Sequence, residues 1–271
     1  MGVSQNRTLQ RSVWSLTSIY YLVEAVVFFV IARIYAFSLV FFLVFLGVQT
    51  VFCAAVGLFL IIYKSFFYYI KTGEALFSIN LPCGITLFRI TMIPSVIFLI
   101  IALKSYPVGA VLALFIGLTC VSDLFDGYIS RRCNEETFIG KIMDSVSDYL
   151  LLGVVAIAYY IYRLLPVWLF WLIISRILLH SLGMLILLLL RKKLIPQTTI
   201  FGKIAVASGM ILFVFKPAAL IFPVLAYATK FIEIGAGILI ALSLADKGFF
   251  LIRGITQILA EHQGGSVEKN S

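Results

Sequence analysis

The chain carries very little charge for its length, and this scarcity narrows its class. Only 12% of its 271 residues are charged, 62% are hydrophobic, and the mean hydropathy is +1.11. A soluble domain usually has about twice that charged share. The composition therefore excludes an ordinary soluble domain and predicts a polytopic helical membrane protein.

Histidine and paired cysteines are also scarce. The chain has two histidines, and its four cysteines, Cys53, Cys83, Cys120 and Cys133, show no paired spacing. This pattern argues against zinc and against a disulfide framework, and predicts free thiols that mostly pack. The net charge of +9 could indicate nucleic acid, but in a chain this apolar it indicates basic loops beside an anionic leaflet. We expect no nucleic-acid partner.

Eight apolar runs approach the roughly 20 residues that a membrane-spanning helix needs. They are about 15–34, 37–63, 85–103, 107–129, 141–162, 165–190, 199–221 and 223–245. Between the second and third runs, residues 64–84 mix aromatic and charged side chains, which favours an interfacial helix. The sequence thus predicts an all-α integral membrane protein with about eight spans.

Basic residues predict how the protein lies in its membrane. An N-terminus in the cytoplasm assigns thirteen of the 21 lysines and arginines to cytoplasmic segments and four to the opposite side. Because basic loops stay preferentially in the cytoplasm, we predict this orientation. It places residues 123–148 near the cytoplasmic surface of a cytoplasmic or inner membrane.

Aspartate is rare, yet four of the five aspartates lie within residues 123–148: Asp123, Asp126, Asp144 and Asp148. The first two are three residues apart and the last two four apart, so each pair lies on one face of a helix. The short loop between the helices predicts that they are antiparallel neighbours whose carboxylates converge. Oxygen ligands favour Mg²⁺, Mn²⁺ or Ca²⁺ over zinc. Two ions about 3.5–4 Å apart are the arrangement used for displacement at phosphorus.

This stretch resembles the signature of the CDP-alcohol phosphotransferase family, D-x2-D-G-x2-A-R-x8-G-x3-D-x3-D. Every spacing agrees, and the single departure is Ser130, where the family has alanine. The resemblance extends from about Asn80 to the C-terminus and implies a six-helix core. We therefore expect a catalytic domain at 65–271, preceded by a two-helix membrane extension at 1–64.

The resemblance implies a phospholipid-synthesising transferase in which an alcohol attacks the phosphorus of a CDP-linked donor and CMP leaves. Asp123, Asp126 and Asp144 would bind two ions, Mg²⁺ or Mn²⁺, with Asp148 also near them. Asp148 would in addition be the general base that takes the proton of the attacking hydroxyl. The donor-binding positions implied by the family are Pro82, Cys83, Gly84, Ile85, Gly127, Ser130, Arg131, Thr137 and Gly140.

The start of the core points to a particular donor. Residues 80–90 resemble the first core helix of bacterial phosphatidylglycerophosphate synthases, which use CDP-diacylglycerol. Cys83 replaces their usual Asn or Asp, so Thr86 could cap this helix in its place, with a ligand role or none. Arg89, one turn inside the span, could serve the site or extend to the interface.

Two basic residues, Arg176 and Lys203, are the predicted contacts to the phosphate of an anionic acceptor. The favoured reaction is therefore phosphatidyl transfer from CDP-diacylglycerol to glycerol 3-phosphate. The neighbouring residues depart from those synthases, which leaves open transfer to inositol phosphate or serine, or headgroup transfer from a CDP-alcohol to diacylglycerol.

Other readings of the aspartates and of the remaining acids stay open. A cation transporter would need broken helices and related halves, and neither is evident in the sequence. A catalytically idle family member is a further alternative.

The sequence is silent on the oligomeric state. Relatives are often homodimers, so a homodimer is one expectation. Glu24 and Glu233 are interpreted as ordinary helix-end acids.

Overall fold

The protein is described by a computed structural model that covers residues 3–133, 135–189, 200–222 and 224–267. These residues form helices and no named strand, so the predicted all-α class is confirmed. The α-helices are α1 (Val3–Ile34), α2 (Leu39–Ile62), α3 (Leu81–Thr91), α4 (Ile93–Ala102), α5 (Gly109–Cys133), α6 (Phe138–Ile161), α7 (Val167–Leu189), α8 (Ile200–Ile221) and α9 (Val224–Val267).

The helices have the length and composition of membrane spans. Among the described residues, six stretches are long and apolar enough to cross a bilayer: Asn6–Ile34, Leu39–Ile62, Leu81–Ala102, Gly109–Ser130, Phe138–Ile161 and Val224–Asp246. Two shorter apolar helical stretches are Val167–Leu179 and Ile204–Leu220. Each of the eight predicted runs overlaps one of these stretches. The chain is an integral membrane protein.

The third predicted span is broken into two helices. α3 ends at Thr91, and α4 begins at Ile93 with Pro94 in its first turn. Proline has no N–H to donate, which is why a continuous helix is interrupted here. α3 also begins at Leu81, earlier than predicted, because the Asn80 side chain caps it by accepting a hydrogen bond from the Cys83 N–H at 3.4 Å. Thr86, the other candidate, therefore does not cap this helix.

Residues 64–84 do not form the predicted interfacial helix. A short 3₁₀ turn at Lys64–Phe66 leads into extended backbone, which turns back at Gly73 with a φ of +70°. The Tyr69 N–H donates to the Glu74 carbonyl at 2.9 Å, and the Phe138 N–H donates to the Tyr68 carbonyl at 3.0 Å. Backbone groups satisfied in this way need no helix. The turn instead ties this segment to the start of α6.

α3 lies at the centre of the packing that builds the site. It packs against both α5 and α6, whereas α5 and α6 share few contacts with each other in the described part of the chain. The prediction that the two aspartate helices are direct neighbours is therefore wrong. The short connection joins their ends, and α3 fills the space between them.

The N-terminal helices join the same core. A buried apolar cluster combines Leu9 and Val13 of α1 and Leu60 of α2 with Leu87 of α3 and Met143 of α6. α1 and α2 approach closely at Gly57, where an added Cβ would lie 2.9 Å from the Trp14 ring. The helices before residue 64 thus pack directly on helices that carry site residues.

Candidate active site

The four aspartates of the signature converge. Asp123 and Asp126 come from α5, and Asp144 and Asp148 come from α6. One carboxylate oxygen from each of Asp123, Asp126 and Asp144 lies within 4.8 Å of the other two, close enough to share a metal ion. The side chain of Asp126 is 7% exposed and that of Asp144 is 47% exposed. The cluster therefore runs from the protein interior to its surface.

Arg89 of α3 stands among these carboxylates and contacts all four. Its guanidinium pairs with Asp123, and Nη2 lies 2.6 Å from Asp144 Oδ1 and 3.8 Å from Asp126 Oδ2. Nη1 lies 3.5 Å from Asp148 Oδ1. The Arg89 side chain is only 1% exposed, so it does not extend to the interface. The functional reading of this residue is supported, and the snorkelling reading is wrong.

Thr86 adds a neutral hydrogen-bond donor one turn before Arg89. Its hydroxyl lies 2.8 Å from Asp126 Oδ2 and 3.1 Å from the Pro82 carbonyl oxygen. A donation to Asp126 holds the most buried carboxylate of the cluster in one orientation. Thr86 thus belongs to the acidic site rather than to the end of the helix.

The balance of charge leaves the cluster strongly negative. Four carboxylates and one guanidinium sum to −3 when all are ionised. Like charges held this close repel one another, and a divalent cation relieves that repulsion. Acidic oxygen donors at this spacing suit hard cations such as Mg²⁺ and Mn²⁺. The residues therefore fit the metal ions that the signature implies.

The predicted donor-binding residues gather where α3 and α6 begin. Thr137 caps α6 by accepting a hydrogen bond from the Gly140 N–H at 3.1 Å. The Thr137 hydroxyl also lies 3.1 Å from Cys83 Sγ. An added Cβ at Gly140 would be 2.7 Å from Thr137 Oγ1 and 3.0 Å from Cys83 Sγ. The glycine is therefore required by close packing of α6 on α3, a reason that the signature alone does not reveal.

The remaining predicted donor contacts fall into two groups. Pro82 and Gly84 are buried and Ile85 is half-buried at the start of α3. In α5, the Ser130 hydroxyl donates to the Gly127 carbonyl at 3.3 Å. The Arg131 side chain lies outside the described residues. The donor contacts themselves stay predictions.

Arg176 of α7 joins α8 and α9. It is buried in α7, where Nη2 donates to the Gly202 carbonyl at 2.7 Å and Nε to Ser243 Oγ at 3.2 Å. Nη1 is buried without a hydrogen-bond partner in the described part of the protein. A spare guanidinium N–H suits an anion. The Lys203 side chain lies outside the described residues.

Sequence reasoning missed one role and left two undecided. Glu24 was interpreted as a helix-end acid, although it lies deep inside α1. Thr86 was left open between a cap and a ligand role. Arg89 had a usable signal, since a lone arginine inside an apolar span needs acidic partners, and the four clustered aspartates were available. No pattern in the sequence connects Glu24 to its partners.

These features define a class: an all-α integral membrane protein with an acidic, metal-compatible site built on three helices. The family model described as CDP-alcohol phosphatidyltransferase matches residues 79–244, more than half of the chain. The chain belongs to this family. The match begins just before α3, so α1 and α2 precede the matched region.

Curated relatives carry the name CDP-diacylglycerol–glycerol-3-phosphate 3-phosphatidyltransferase. The Rickettsia typhi protein is 41% identical over 29% of this chain and 43% of its own length. The Bacillus subtilis protein is 38% identical over 36% of this chain and 56% of its own length. The Aquifex aeolicus protein is 28% identical over 64% of this chain and 98% of its own length. The chain thus spans well under two thirds of the Rickettsia relative that it matches.

Proposed function

We propose that this protein synthesises a phospholipid by moving a phosphatidyl group from CDP-diacylglycerol to glycerol 3-phosphate, with release of CMP. The observation that carries the proposal is the convergence of the four signature aspartates around Arg89 of α3. The names of the relatives from Rickettsia typhi, Aquifex aeolicus and Bacillus subtilis support the same donor and acceptor.

Asp123, Asp126 and Asp144 would hold two divalent ions, Mg²⁺ or Mn²⁺, with Asp148 beside them. When bound, such ions offset the negative charge that develops on the departing CMP. Arg89 keeps the carboxylates together, and Thr86 orients Asp126. Little covalent work then remains for the protein beyond holding the substrates in line.

Asp148 is the proposed general base. Among the described residues, its Oδ1 is buried without a hydrogen-bond partner, and Arg89 Nη1 lies 3.5 Å from it. An oxygen without a donor is available to accept the proton of an incoming hydroxyl. The base role in the proposal goes to this residue because the other three carboxylates are assigned to the ions.

The acceptor phosphate would be bound by Arg176 and Lys203. Arg176 supports this role because it is anchored by Gly202 and Ser243 and retains a buried N–H group. Lys203 follows Gly202 directly in the chain. We expect Lys203→Ala to raise the KM of glycerol 3-phosphate and to leave the KM of CDP-diacylglycerol near its wild-type value. The reason is that the variant loses a contact to the acceptor phosphate and none to the donor. Steady-state kinetics with each substrate varied in turn checks this, and an equal rise for both would remove Lys203 from the acceptor site.

The proposal includes the placement of the protein. The N-terminus and the active site would face the cytoplasm, as the distribution of basic residues predicts. We also propose that residues 65–271 form the catalytic domain and that the protein is a homodimer. Crosslinking of the purified protein in lipid nanodiscs tests the homodimer.

The decisive experiment uses purified full-length protein with CDP-diacylglycerol labelled in its phosphatidyl part. Glycerol 3-phosphate, inositol phosphate and serine are offered separately with Mg²⁺ or Mn²⁺, and CMP release and lipid products are measured. Diacylglycerol is offered with a CDP-alcohol in place of CDP-diacylglycerol. We expect product with glycerol 3-phosphate alone, and no CMP when the metal is chelated. Product with another acceptor would replace glycerol 3-phosphate. Metal-dependent ion flux without CMP release would instead favour a transporter.

A further inference from the structure

A second buried polar cluster lies where the N-terminal helices meet the rest of the protein. Glu24 of α1 is 4% exposed, and Gln49 of α2 is fully buried. Both residues belong to membrane-spanning stretches. Polar and ionisable side chains in that position are costly, so their presence calls for partners and a function.

The partners of Glu24 and Gln49 lie at the break between α3 and α4. Gln49 Nε2 donates to Glu24 Oε2 at 2.9 Å and to the Thr91 carbonyl at 3.1 Å. The Ser95 hydroxyl donates to the same Glu24 oxygen at 2.9 Å. The cluster therefore connects α1, α2, the last residue of α3 and the first turn of α4.

The break itself explains why outside donors are useful here. α3 ends at Thr91, and Pro94 has no N–H to donate. Carbonyls at the end of a helix are left without intrahelical donors and need others. Gln49 supplies such a donor to the Thr91 carbonyl. Arg89, which contacts all four aspartates, lies only two residues before Thr91.

α1 also contacts α3 and the residues just before it directly. The Ile79 N–H donates to the Ser12 hydroxyl at 3.1 Å, just before α3 begins. The Tyr20 ring meets the Phe88 ring edge to face at 5.4 Å. Tyr20 also approaches Gly84, where an added Cβ would lie 3.5 Å from its hydroxyl oxygen. α1 thus contacts α3 at its beginning, its middle and its end.

Apolar packing alone would not require this arrangement. Glu24 Oε1 and Gln49 Oε1 are buried without hydrogen-bond partners in the described part of the chain. Unpartnered buried oxygens destabilise a fold. If α1 and α2 only added packing to the bundle, apolar side chains at both positions would be more stabilising, as elsewhere in the core.

We propose that Glu24 and Gln49 are positioning residues for the active site. By holding the α3–α4 break from α1 and α2, they keep Arg89 in place against the aspartates and so determine how tightly the site binds divalent ions. The α1–α2 pair is then a structural part of the catalytic centre. This inference rests on the metal site of the proposed function.

Binding of Mn²⁺ tests it without any turnover. Full-length protein in nanodiscs is titrated with Mn²⁺, and free Mn²⁺ is followed by electron paramagnetic resonance. We expect Glu24→Leu and Gln49→Leu each to weaken Mn²⁺ affinity about 10-fold, as loss of groups that orient metal ligands commonly does. Glu24→Gln keeps an accepting oxygen for Gln49 and Ser95, so it should retain wild-type affinity. Ser95→Ala removes only one hydrogen bond to Glu24, so it should weaken Mn²⁺ binding less than the leucine variants do. It replaces them as the test if they fail to fold.

Tyr159→Phe is the matched control. Its hydroxyl donates to the Phe213 carbonyl at 2.7 Å, a buried bond between α6 and α8 that is separate from the α3–α4 break. We expect this variant to lower the thermal midpoint with Mn²⁺ affinity unchanged. Wild-type affinity in Glu24→Leu and Ser95→Ala, or an equal loss in Tyr159→Phe, would overturn the proposal.

The outcomes separate this inference from the proposed function. If wild-type protein binds Mn²⁺ but transfers no phosphatidyl group to glycerol 3-phosphate, the proposed function is wrong, and the comparison of variants still decides the role of Glu24. If transfer occurs and Glu24→Leu binds Mn²⁺ as wild type does, only the positioning role is wrong. Absence of Mn²⁺ binding in the wild type would overturn both.

Discussion

At the scale of single residues, the unusual feature is an arginine in contact with four aspartates. Arg89 is 1% exposed, whereas its partners range from 7% to 47% exposed. A guanidinium presents several donors in a rigid plane, so one side chain can contact several carboxylates at once. Arg89 thereby holds the ligands from α5 and α6 near one another before any metal ion binds.

Arg89→Ala should destabilise the protein. Four carboxylates would lose a buried cationic partner, and breaking such a pair costs about 3–5 kcal/mol. We expect a lower thermal midpoint than that of the wild type in EDTA, measured by thermal unfolding in detergent. Arg132→Ala is the control, since Arg132 is exposed and contacts the Tyr128 hydroxyl. Equal midpoints in wild type and Arg89→Ala would contradict this role.

Asp148→Asn should separate catalysis from binding. The amide keeps the size of the side chain but accepts a proton poorly, so we expect turnover to fall about 100- to 10,000-fold. CMP binding, measured by isothermal titration calorimetry, should be largely retained because the other three aspartates are intact. Glu136→Gln, a neighbouring change in the α5–α6 connection, serves as the control. Wild-type turnover in Asp148→Asn would assign the base elsewhere.

At the scale of elements, α3 organises the site. It packs between α5 and α6, places Arg89 and Thr86 against the aspartates, and contributes Cys83 to the contact with Thr137. The early start of this helix at the Asn80 cap makes that possible, because it brings the first turn of α3 level with the first turn of α6. Asn80 also donates to the Glu135 carbonyl at 3.1 Å, which ties α3 to the α5–α6 connection.

Gly140→Ala tests this contact between α3 and α6. The new Cβ would lie 2.7 Å from Thr137 Oγ1, the atom that caps α6, so either the cap or the contact with Cys83 must move. We expect a loss of about 1–3 kcal/mol of stability from overpacking, measured by thermal unfolding in detergent. Gly117→Ala in α5 is the matched control, because no described atom outside its own stretch of helix lies within 4 Å of its added Cβ. If Gly140→Ala is as stable as Gly117→Ala, close packing is not what requires the glycine.

At the scale of the whole molecule, the proposed orientation can be tested with a native cysteine. Cys133 is exposed at the end of α5, whereas Cys53 and Cys83 are buried. We expect a membrane-impermeant maleimide to label Cys133 in inverted vesicles but not in intact cells. Ser105→Cys in a Cys133→Ser background should show the opposite pattern, since Ser105 is exposed between α4 and α5. Labelling of Cys133 from outside would invert the topology.

The membrane class, the eight apolar stretches and the four aspartates could all be read from the sequence. Their signals are local: hydropathy depends on about 20 consecutive residues, and the signature lies within 26 residues. Two predictions were wrong: an interfacial helix at residues 64–84 and an unbroken third span that begins near residue 85. The first relied on aromatic content and the second on an apolar run, and neither took account of Gly73, Asn80 and Pro94. Those three residues decide where backbone turns, caps and breaks occur.

The sequence by itself determined that this is a membrane protein with four clustered aspartates that could bind metal ions. Composition and motif spacing are properties of the chain, so they need no structure. Tertiary structure alone decided that α3 separates the two aspartate helices, that Arg89 joins them, and that Glu24 and Gln49 meet at the α3–α4 break. Gln49 and Thr91 are 42 residues apart, and Arg89 and Asp144 are 55 apart. No local pattern encodes such pairs, since they arise only when separate helices pack and bring their buried polar groups together.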